Sequence, residues 1–124
     1  VAVLADADSM YYVDGHSPLA QFVLRDLQFA MFRAGVPWRC YSFADLSKLD
    51  MSPYKVVILP NLFVVTPEKR KLLEAKILRG GTTVVLPFAP GIITDGRYDP
   101  DTGRMRVKAG AYLPAEIARC HELA

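Results

Sequence analysis

The sequence predicts an α/β domain with a parallel sheet covered by helices on both faces. Two observations carry this: four short runs of apolar, β-rich residues, and two capped segments of helical periodicity set between them. A third is the run type, continuous rather than alternating, as expected of strands buried on both faces. Val1-Ala2-Val3-Leu4-Ala5 is the first strand, ending at the polar loop Asp6-Ala7-Asp8-Ser9. Ser17 and Pro18 then give an N-cap and a first-turn proline, and Leu19, Phe22, Val23, Leu27, Ala30 and Met31 follow at helical spacing. Gly35 is the stop of that helix, over 17–34.

Residues 37–43 alternate loosely and read as the second strand, and Lys55-Val56-Val57-Ile58-Leu59 as the third, closed by Pro60-Asn61. Thr66-Pro67-Glu68 opens a second capped helix over 67–79, stopped by Gly80-Gly81. Thr82 to Leu86 is the fourth strand, broken by Pro87-Phe88-Ala89-Pro90-Gly91. The simplest strand order is two-one-three-four, in a flavodoxin-like arrangement. Over 95–111 turn signals crowd together, at Asp95-Gly96, Asp99-Pro100-Asp101 and Thr102-Gly103, giving an irregular surface excursion or a hairpin. A short helix over 113–123 is expected after it. All 124 residues are read as one domain, and the start at Val1, already inside a strand, suggests a piece of a larger protein.

Composition excludes several classes. Hydrophobic residues make up 52% and charged residues 23%, a globular mixture, and the net charge of +2 comes from scattered basic and acidic side chains with no basic stripe for nucleic acid. The apolar runs are far shorter than the roughly 20 residues of a membrane helix, so no membrane partner is expected. Localisation is not encoded in any signal. Cys40 and Cys120 lack CxxC partners, so buried or half-buried thiols are expected; a disulfide is left open and a zinc site is not expected.

Ligands of open α/β sheets bind beyond the carboxyl ends of the strands. After the first strand stand Asp6, Asp8, Asp14 and His16, whose spacing matches no calcium loop or histidine metal pattern, so solvated loop carboxylates and no metal are expected. A strand followed by Asp6-Ala7-Asp8 also resembles the opening of haloacid-dehalogenase phosphotransferases. That resemblance implies Asp6 as nucleophile, Asp8 as acid-base group and Asn61 at the second motif. Ser9-Met10 departs from it, and the later acidic pair for magnesium is missing. Tyr11, Tyr12 and Trp38 are candidate stacking faces for a carbohydrate. No glycine-rich phosphate loop is present, and no cofactor is expected. The turn after the fourth strand offers Phe88 where an acyl-transfer nucleophile would stand, and Cys120-His121, neighbours on the expected last helix, point about 100° apart and form no dyad.

The stretch Tyr54 to Phe63, then Thr66-Pro67-Glu68, Gly80-Gly81-Thr82-Thr83-Val84-Val85 and Ala89 to Gly96, resembles the middle domain of glycoside hydrolase family forty-two β-galactosidases. Val3-Leu4-Ala5-Asp6 and Ser9 to Tyr12 are compatible with it, while 102–111 depart from it. The resemblance implies a fold similar to class I glutamine amidotransferases without their chemistry. It also implies contact with the other domains of a parent chain and homo-oligomerisation as a trimer. The family's two catalytic glutamates lie in a barrel that this chain does not contain, so no catalytic residue is carried over. The expected function is a non-catalytic accessory or oligomerisation domain; the alternatives are a phosphotransfer enzyme using Asp6 and Asp8 and a carbohydrate-binding module.

Overall fold

The structure, a computed structural model, describes residues 1–13, 15–88 and 90–91, with the backbone of two further strands over 93–99 and 104–109. Its main sheet has four parallel strands in the order β2-β1-β3-β4: β1 (Ala2–Ala5), β2 (Arg39–Ser42), β3 (Val56–Ile58) and β4 (Thr83–Val85). The expected order and direction are both met, with each strand one to three residues shorter than its expected run. Helices α2 (Pro18–Gln21), α3 (Leu27–Ala34) and α4 (Pro67–Lys76) fill the two crossovers that need them, and α4 ends three residues before its expected stop.

Register explains why the strands read as continuous. Ala2 pairs with Val57 and Val57 with Val84, so these side chains share one face with Leu4 and Leu59. That face packs on Leu73 of α4, on Ile77 just beyond it and on Phe43, Leu46, Met51 and Leu62, forming the main core. The opposite face is the row Cys40–Val3–Ile58–Val85. Val3 and Ile58 are buried in its middle, whereas Cys40 and Val85 at its two ends are exposed. The expectation of a buried Cys40 is therefore corrected, because β2 is an edge strand. Cys120 and the expected helix over 113–123 lie outside the described residues.

Both helix entrances are capped as their residues dictate. The Ser17 hydroxyl accepts from the Ala20 N–H at 3.2 Å, and the Thr66 hydroxyl accepts from the Lys69 N–H at 3.2 Å. Thr66→Ala should cost about 1 kcal/mol of stability, read as a lower midpoint in urea at unchanged slope. Gly35 closes α3 in the left-handed region at φ 64°. Between α2 and α3 the chain makes a π-helical turn over Phe22–Asp26, which helical spacing alone does not foretell. The excursion expected over 95–111 is a two-stranded antiparallel ribbon, β5 (Ile93–Asp99) against β6 (Arg104–Ala109), with an irregularity between Ile93 and Asp95.

Candidate functional site

The loops after β1 and β3 meet at the carboxyl edge of the sheet through a closed polar network. Asp6 donates its backbone N–H to Asn61 Oδ1 at 2.9 Å, and Asn61 Nδ2 donates back to the Asp6 carbonyl at 2.7 Å. An amide side chain here mimics a backbone rung and joins the ends of two neighbouring strands. Beyond Asp6 the chain turns into a one-turn helix, α1 (Ala7–Met10), rather than the expected loop. Ser9 is buried beneath it. Its hydroxyl donates to Asp6 Oδ2 and accepts from the backbone N–H groups of Phe63 and Val64, both at 3.0 Å.

The Asp6 carboxylate is only 3% exposed, which corrects the expectation of a solvated loop carboxylate. Burial of a lone carboxylate is costly unless it is paired. Lys69 provides the pair: its ammonium lies 2.7 Å from Asp6 Oδ1 and 2.8 Å from Oδ2. It also lies 3.2 Å from Oδ2 of Asp8, whose side chain is 71% exposed, and 5.6 Å from the centre of the Phe43 ring. Three features thus settle one carboxylate: two charge-assisted bonds from Lys69 and one from Ser9.

Lys69 was not among the residues singled out from sequence, yet a signal for it exists. It occupies the third position of α4, where a capping box prefers glutamate or glutamine and where the helix dipole disfavours a cation. A lysine there makes sense when carboxylates from elsewhere face the helix entrance. The sequence places Ser9 as a departure from the phosphotransferase pattern and as compatible with the β-galactosidase resemblance, without a role; its buried hydroxyl ties α1 to the loop after β3.

The remaining candidates separate. Beside this network runs a concave cavity of about 700 Å³ between β1, β2 and the helical segment 18–34, and Asp6, Tyr11, Asn61 and Trp38 all line it. Tyr12 is half-buried and donates its N–H to the Ser9 carbonyl instead. Phe88, in the turn after β4, is partly exposed and meets Phe22 and Phe63 edge-on, with ring centres 6.0 Å and 6.5 Å away. Among the described residues no three His, Cys, Asp or Glu side chains group closely enough to hold a metal ion. His16 is exposed and Asp14 lies outside the described residues.

At the far side of the cavity, partial burial pushes the Cys40 thiol above its usual pKa, which disfavours the nucleophilic thiolate. Nearby, the Tyr41 and Tyr54 hydroxyls are 2.5 Å apart. That hydrogen bond lowers the pKa of Tyr41 and raises that of Tyr54, with the Arg39 guanidinium adding to the first shift. No helix among the described residues is long and apolar enough to cross a membrane. Comparison with protein-family models, with curated protein sequences and with solved structures returns no match for this chain.

Proposed function

We propose that the chain is a non-catalytic accessory domain, flavodoxin-like and similar to the class I glutamine amidotransferases. It docks onto the other domains of a β-galactosidase-type glycoside hydrolase and onto copies of itself. The observation that supports docking is the helical segment 18–34, which is apolar on two sides. Val23, Leu27 and Met31 turn toward the cavity, while Phe29 and Phe32 on α3 are 56% and 69% exposed. A surface helix normally carries one apolar stripe, and a second argues for a second covering surface. Val36, just beyond the helix, and Phe88, in the turn after β4, are exposed as well. The resemblance of 54–63 and 80–85 to the β-galactosidase middle domain supports the identity of the parent.

The polar network around Asp6 speaks against phosphotransfer there. A phosphotransfer nucleophile needs a carboxylate free to attack phosphorus, and both oxygens of Asp6 are engaged. In the turn after β4, Pro87 and Phe88 carry neither nucleophile nor side-chain base, and Pro87 has no N–H to donate to an oxyanion. The purified chain should release no ammonia from glutamine, no phosphate from p-nitrophenyl phosphate with magnesium and no nitrophenol from a nitrophenyl galactoside. In the full protein encoded by the gene, Phe29→Asp with Phe32→Asp should lower the assembled mass measured by light scattering. Phe29→Asp alone should leave the melting temperature of the isolated chain nearly unchanged, whereas Phe32→Asp also removes an edge-on contact with Trp38 at 5.5 Å. Turnover that Asp6→Asn abolishes, or an assembly indifferent to both aspartates, would remove this reading.

A further inference from the structure

The cavity between the edge strand and the helical segment 18–34 has a chemistry of its own, independent of whether the outer helix face docks. Its walls are mainly aliphatic and aromatic, with Val3 and Cys40 from the sheet, Leu27 and Met31 from α3, and Trp38 and Tyr11, and with Gln28, Ser42 and Asn61 as the few neutral polar side chains. Among the described residues no lysine, arginine or histidine lines it, and the one carboxylate among them, Asp6, is neutralised from behind by Lys69. An anionic ligand would therefore meet no cation, and a free sugar would leave many hydroxyls without partners. About 700 Å³ lies within the range of small-molecule sites. The cavity reaches the carboxyl ends of β1 and β2 at Asp6 and Ser42, beside the place where the strand order reverses between β1 and β3. Moreover, the π-helical turn Phe22–Asp26 contributes Val23 and Leu24 to its wall. Such turns sacrifice regular helical bonding and recur at functional sites.

We infer that this cavity is a binding site for a neutral, mainly apolar small molecule with a ring or chain body and few hydrogen-bonding groups. The body lies along Val3, Cys40, Leu27 and Met31, and Trp38 and Tyr11 supply flat faces.

Nile red, a neutral fused-ring dye, tests the site on the intact chain by fluorescence titration. Saturable one-to-one binding is expected, displaced by 1-decanol, with decanoate weaker by at least about tenfold because no cation receives its carboxylate. Cys40→Trp fills the cavity from an edge strand that tolerates aromatic residues, and should weaken the dye by a similar factor. If that variant does not fold by circular dichroism, Leu24→Trp fills the cavity from the helix side. Phe29→Asp, on the outer face of α3, should leave binding unchanged. The inference is overturned by an unsaturable signal, by decanoate competing as well as decanol, or by a signal lost in Phe29→Asp and kept in the filled variants. The last result would place the dye on the outer aromatic face and would leave the docking reading standing.

Discussion

Lys69→Met lowers the stability of the fold by about 3–5 kcal/mol, the cost of leaving a buried charge without its partner. Lys69 is 14% exposed and Asp6 4% by side chain, so water replaces little of what the ammonium supplies. Methionine keeps most of the stem that passes the Phe43 ring, so the loss reports charge rather than packing. Asp6→Asn removes the charge from the other side and should restore much of the stability when combined with Lys69→Met. In such a double-mutant cycle the coupling is expected to be positive and large, because the two groups touch. Urea midpoints for the four proteins at a common slope give the answer. A loss below about 1 kcal/mol for Lys69→Met would mean that the pair behaves like a surface salt bridge, and that Asp6 is free to act on a ligand.

The strands and their order were legible because they rest on local pattern. A β-branched run such as Lys55 to Leu59, bounded by Pro53 and Pro60, leaves few alternatives, and right-handed crossovers with single helices favour neighbouring strands. The caps at Ser17 and Thr66 were legible for the same reason, each hydroxyl bonding three residues ahead. The site was legible only in part. Asp6 and Asn61 were picked out by their place after strands, but what they do depends on partners 55 and 63 positions away. A run of acids after a strand looks solvated until the distant lysine is placed over it. The π-helical turn is hidden for a different reason: inserting one residue into a turn alters phase by far less than the apolar pattern of 19–34 can report. The exposure of Cys40 followed from the edge position of β2, which composition of the strand does not reveal.

Asn61→Leu should cost about 1–3 kcal/mol, chiefly from the buried Asp6 N–H left without a partner, since the Asp6 carbonyl at the N-cap of α1 keeps its helical bond. Leucine keeps the branched skeleton of asparagine but is bulkier, so at this buried position some overpacking adds to the loss of the hydrogen bonds. The Asp6 N–H sits at the end of β1, where the Asn61 amide is the partner it has, whereas the Asp6 carbonyl, at the N-cap of α1, also takes part in the first helical turn. Losing that clip separates the carboxyl ends of β1 and β3, and with them the wall of the cavity to which Asp6, Pro60 and Asn61 belong. Asn61→Asp divides the effect. A carboxylate can still accept the Asp6 N–H but has no amide proton for the Asp6 carbonyl, and it adds a second negative charge beside Asp6. Amide hydrogen exchange distinguishes the two variants under conditions where both remain folded. The Asp6 amide should lose protection in Asn61→Leu and keep more of it in Asn61→Asp, whereas Val57, inside the sheet, stays protected in both. If the Asp6 amide exchanged equally slowly in Asn61→Leu and in the parent chain, the strand ends would be held by something other than this pair of hydrogen bonds. The cavity wall would then not depend on Asn61.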